Sequence, residues 1–142
     1  MKKSIILIFL MILIFTGCKS NKSQDEGLNE QWMNDIQLNN GEKWNANIET
    51  TEGVLKMQDI LKTHKTSTIE DYHELANQLN EVKNKVVKEC TMKGASHDNL
   101  HIWLYPLIEK VSALSEVSTI ENASVLKNSI VENVNAYSKY FQ

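Results

Sequence analysis

The chain has no arginine: all 15 basic residues among its 142 are lysine. The planar, forked donors that hold phosphates and carboxylates in bidentate fashion are therefore missing. Cysteine is scarce, with only Cys18 and Cys90, and the sequence contains no Cys-x-x-Cys-His, which disfavours covalently attached haem. Strand signals are absent as well. There are no alternating apolar runs, and the one Asn-Gly pair, Asn40-Gly41, lies in a polar N-terminal stretch. The one long apolar run, Ile5 to Phe15, is too short to make a good membrane-spanning helix.

That run nevertheless has a purpose. Lys2 and Lys3 give residues 1–17 a basic start, Ile5 to Phe15 an apolar middle, and Phe15-Thr16-Gly17-Cys18 a cleavage site, so they read as an export signal. The tetrapeptide resembles the lipobox of bacterial lipoproteins, with Phe15 where leucine is usual. The resemblance implies that Cys18 is lipidated and becomes the first residue of the mature chain. The protein is then anchored to a membrane of the cell envelope and faces the periplasm or the cell exterior. Lys19 does not resemble the aspartate that retains such proteins at the inner membrane. Loss of Lys2 and Lys3 with the signal takes the formal charge from −3 to −5, which argues against nucleic acid as a partner. Lipidation of Cys18 leaves Cys90 as the only thiol, so no intramolecular disulfide forms. Cys90 is then buried as a small hydrophobe, paired with another molecule or held by a metal.

Residues 18–44 read as the lipidated cysteine and a flexible polar tether, in which Trp32 packs loosely and Trp44 staples the start of the domain. From residue 45 to 142 the apolar spacing is helical. A first helix is expected from about Asn47 to His64, with Ile48, Val54, Met57, Ile60 and Leu61 inward. A second starts at a capping box of Ser67 with Glu70, carries Tyr72, Leu75, Leu79, Val86 and Cys90 on one stripe, and stops at a left-handed Gly94. A third opens near Ser96 and contains Pro106. A fourth follows a second capping box, Ser118 with Glu121. Connections of a few residues force neighbouring helices to run antiparallel. The expected fold is all-α, an up-down-up-down four-helix bundle.

This topology brings the end of the second helix and the start of the third to one end of the bundle. Cys90, Met92, His97 and His101 should gather there, with Met57 reaching in from the first helix and Tyr137 or Phe141 closing the site. His97 and His101 are four residues apart, one turn along a single helix face, where two imidazoles share one ion. A thiolate, a thioether and two imidazoles suit copper or zinc and are poor for calcium or magnesium. The opposing reading treats Cys90, Met92 and both histidines as structural. His64 and His73 fall at the other end and should be bystanders. An enzyme is not indicated: Ser96-His97-Asp98 has the letters of a catalytic triad, but adjacent residues at a helix start diverge.

The segment Cys90-Thr-Met-Lys-Gly-x-x-His97-x-x-Leu-His101-x-Trp-Leu-x-Pro-Leu resembles one found in small exported bacterial helical-bundle lipoproteins, a resemblance that brings no established activity. In architecture alone the chain is similar to the cytochrome b562 type of bundle, which implies a cofactor between helices. Met57 matches that family's methionine on the first helix, but the fourth helix has no histidine, so haem is not expected. The sequence thus points to a membrane-anchored lipoprotein outside the cytoplasm. It binds copper or zinc for buffering, sensing or delivery, with a metal-handling or envelope protein as its partner. The alternative is a helical interaction module of the envelope that binds no metal.

Overall fold

A computed structural model describes residues 31–142. The signal segment, Cys18 and the tether up to residue 30 lie outside the described residues. The described chain is all-α: the short α1 (Trp32–Asp35), then α2 (Ile48–Thr63), α3 (Ile69–Glu89), α4 (Gly94–Glu116) and α5 (Ile120–Tyr140). The long helices pack α2 on α3, α3 on α4, α4 on α5 and α5 back on α2, while α1 lies on α4. Residues at spacings of three and four make this possible. Leu75, Leu79 and Val86 of α3 face Leu100, Leu104, Leu107, Val111 and Leu114 of α4 and Ile130 and Val134 of α5 across one core. Each such buried side chain contributes about 1.5–3 kcal/mol of transfer free energy.

Both capped starts lie one residue later than expected. Thr68 caps α3: its hydroxyl accepts from Asp71 N–H, and the Asp71 carboxylate accepts from the N–H groups of Thr68 and Ser67, each at 2.8 Å. Those donors hold the Asp71 carboxyl below the usual carboxylate range. Thr119, rather than Ser118, caps α5 by accepting from Asn122 N–H. Asn47 caps less directly. Its side-chain amide donates to the last carbonyl of α3, at Glu89, and to Glu49, while its oxygen accepts from Thr50, so one residue joins the start of α2 to the end of α3.

Two further expectations need correction. Ile48, placed inward by the sequence, is 67% exposed, because the buried stripe of α2 runs through Thr50, Val54, Met57 and Leu61 and Ile48 lies about 200° around the helix from Thr50. The polar segment before Trp44 is, from Gln31 on, packed rather than free. Trp32 is 5% exposed and meets Tyr140 edge-on, and Ile36 is buried beside it. Asn40 and Gly41, both at positive φ, turn the chain so that Asn39 and Glu42 exchange backbone hydrogen bonds, the geometry for which Asn-Gly is suited. Trp44 then pairs with the C-terminus. Its N–H donates to Tyr140, its carbonyl accepts from Gln142, and its indole donates to Gln37 at 2.7 Å. Residues 31–46 therefore form a strap across the helices.

Close approach of α2 to α3 depends on Gly53, where a Cβ would overlap the Val86 side chain.

Candidate functional site

The connection between α3 and α4 is short. α3 ends at Glu89, with Cys90 extended as its cap, and Gly94 takes its left-handed conformation (φ 61°) at the start of α4 rather than at the end of α3. Residues 90–93 join the two helices; of the expected metal ligands, Cys90 and Met92 lie in this connection, His97 and His101 on α4 and Met57 on α2.

On α4, His97 and His101 are both half-buried, with ring centroids 4.3 Å apart and planes tilted by 54°. Tyr105 extends the series by one more turn. Its ring meets His101 edge-on at 4.9 Å, and its hydroxyl lies 2.8 Å from His101 Nδ1. Spacing i, i+4, i+8 makes these three side chains a ladder on one flank of α4. When Nδ1 carries the proton it donates to the tyrosine oxygen, and the Nε2 lone pair is left to accept a metal. That arrangement is the usual support of a ligating histidine. The spacing of four residues between His101 and Tyr105 is the sequence signal for this contact.

The sulfur side chains pack in or against the core. Cys90 is a free, half-buried thiol packed against the core, close enough to Tyr137 to help raise that phenol. The main cause of the rise is burial of Tyr137, opposed by a 3.0 Å hydrogen bond with Thr51. Tyr137 stacks on Phe141 at 4.9 Å and meets Trp103 at 5.1 Å, so both aromatics form core rather than a wall for the histidines. Met92 is half-buried against the core, and Met57 is 0% exposed within it. Among the described residues no three His, Cys, Asp or Glu side chains gather to hold a metal ion.

His64 and His73 occupy backbone-bonded positions. His64 Nε2–H donates to the Asp71 carbonyl at 2.9 Å, and His73 Nε2–H donates to the carbonyl of Val117, the residue that ends α4, at 2.8 Å.

Beneath the ladder, α4 and α5 are cross-braced by a reciprocal pair that the apolar pattern did not reveal. The Trp103 indole donates to the Asn133 carbonyl at 2.8 Å, and the Asn133 amide donates to the Trp103 carbonyl at 3.2 Å. Asn133 is 0% exposed, and its Oδ1 has no hydrogen-bond partner. Lys110, on the same helix as the ladder, is also buried. Pro106 lies inside α4, where its missing N–H deprives the Ile102 carbonyl of its helical donor. No described helix is long and apolar enough to cross a membrane.

Compared with protein-family models, curated proteins and solved structures, the chain matches none.

Proposed function

We propose that this is a lipid-anchored lipoprotein of the cell envelope that binds a borderline metal ion through His97 and His101. The ion is zinc or Cu(II), and the role is buffering, sensing or delivery. The observation that carries the reading is the imidazole pair itself, one helical turn apart with Tyr105 on Nδ1 of His101. Imidazole nitrogens favour zinc or Cu(II), and Met57, 0% exposed in the core, is not open to an ion held at the pair. Two protein ligands make an open, exchangeable site, as buffering or delivery requires.

The bundle that presents the pair runs up-down-up-down in α2 to α5. Its support is the brevity of the connections, residues 64–68, 90–93 and 117–119, together with the packing of each long helix on the next and of α5 on α2. Anchoring through Cys18 rests on the lipobox resemblance alone. Cys18→Ala should move the chain from the membrane fraction to the soluble one, and unchanged fractionation would remove the anchor from the account.

The metal reading is tested by native mass spectrometry of the full chain, stripped by a chelator and then offered Zn(II) and Cu(II) separately. The parent should retain metal that His97→Ala/His101→Ala loses. Equal retention by both would mean that binding occurs elsewhere, and no retention by either would end the reading.

One observation favours the alternative of an envelope interaction module. Ile48 and Leu55, seven residues apart and so on one flank of α2, are 67% and 58% exposed. On that reading metal removal leaves stability unchanged, whereas a protein that binds metal in its folded state is stabilised by it.

A further inference from the structure

The imidazole pair is half of a coordination shell. Zinc in a closed site takes four ligands in tetrahedral array, with Zn–N distances of about 2.0–2.1 Å. That geometry would place two ligating rings with centroids roughly 5 Å apart. The observed 4.3 Å is close to it, so a modest opening of the rings suffices. No third His, Cys, Asp or Glu among the described residues stands ready to complete the shell. The positions beyond the pair are open to water or to a ligand from another molecule.

The ladder runs from the half-buried rings of His97 and His101 to the exposed Tyr105, so it reaches solvent on one flank of α4. The strap grips α4 through the bond from Gln37 N–H to Asn99 Oδ1. Asn99 is two residues from both His97 and His101, about 200° around the helix, so the strap holds the opposite flank and leaves the ladder uncovered. Tyr105, 56% exposed, adds a large aromatic surface on the same flank. The pair lies along one helix, so a second copy turned by a two-fold axis supplies an identical pair across the ion. An isologous contact of this kind closes on itself and needs no other partner.

We infer that zinc bridges two copies of this chain, with His97 and His101 of each copy completing one four-imidazole tetrahedral site. The inference rests on the metal reading above and deepens it. Bound zinc would then switch the protein between monomer and dimer, the bridging ion supplying what a small contact surface lacks. Each Tyr105 fixes the ring of its own His101, so Tyr105→Phe should weaken zinc binding about tenfold while the dimer still forms at higher zinc.

The test is native mass spectrometry and sedimentation of the purified full chain, stripped of metal and titrated with zinc chloride. One zinc per two chains, with a doubling of mass that EDTA reverses, is the expected result. Both changes should vanish in His97→Ala/His101→Ala and in His101→Asn, whose metal-free circular dichroism matches the parent. One zinc per chain at unchanged mass would overturn the bridge and leave the two-imidazole site standing. Failure to retain zinc would overturn both. Zinc-driven dimerisation that survives in the double variant would place the bridge elsewhere and overturn the inference.

Discussion

The four histidines form two pairs that the fold treats differently. His64 and His73 donate to backbone carbonyls of Asp71 and Val117, fastening the start of α3 to the ends of its neighbours. His97 and His101 contact each other and the Tyr105 side chain on the flank of α4. A ring committed to a helix-end carbonyl serves stability, and one supported by another side chain keeps a nitrogen for a ligand. The difference lies in the partner of each ring and not in the residue type.

The comparison predicts opposite responses to one substitution. His97→Ala and His101→Ala should each lower zinc affinity by about 100-fold or more, since loss of supporting contacts alone costs 10–100-fold. Isothermal titration should show no such loss for His64→Ala or His73→Ala. Equal losses from all four would reduce binding to adventitious surface capture and dissolve the distinction.

The site should also be separable from the stability of the helices beneath it. Gly53→Ala drives a methyl group into Val86 and should cost about 1–3 kcal/mol of unfolding free energy. Urea denaturation would read that loss, and zinc affinity at low denaturant should not change. A smaller loss is expected from the backbone-bonded histidines. His64→Ala and His73→Ala should each cost about 1 kcal/mol, by removal of a hydrogen bond to a helix-end carbonyl. His97→Ala and His101→Ala should leave metal-free stability within about 0.5 kcal/mol of the parent. If the two pairs gave the same stability cost, the division of roles would fail.

The smallest effect concerns pH. Asp71 is held below the ordinary carboxylate range by the Ser67 and Thr68 N–H groups. Its folded value is lower than its unfolded one, so the stability it contributes is present above the unfolded value. That stability is lost as pH falls through the folded value. Asp71→Asn should therefore flatten the acid limb of a stability profile and leave zinc binding at neutral pH untouched.

The helices were readable because their apolar residues repeat at three and four, and the stripe on α3 from Tyr72 to Val86 is buried as read. Their starts were less so. Ser67-Thr68 and Ser118-Thr119 each offer two adjacent caps with a suitable residue three positions on, and local spacing does not choose between them. In the structure the threonine caps both times. The strap was hidden for a different reason. Trp32 and Ile36 stand alone in a polar stretch, and Trp44 finds its partners at the far end of the chain, at Tyr140 and Gln142. No periodic pattern encodes such a pairing. Asn133 was passed over because a polar letter among apolar ones reads as surface, although it braces Trp103 in the core.

For the site, the four-residue spacing of His97 and His101 puts their rings in contact, and among the described residues no third His, Cys, Asp or Glu gathers with them. Residues 90–93 join the end of α3 to the start of α4, and Cys90 packs against the core.

X-ray absorption at the zinc edge of the loaded protein tests this division most directly, because it distinguishes nitrogen from sulfur in the ligand shell. The account predicts a shell of imidazole nitrogens at about 2.0–2.1 Å with no sulfur. A sulfur contribution near about 2.3 Å that disappears in Cys90→Ser would put Cys90 on the metal and contradict a site built on the imidazole pair alone.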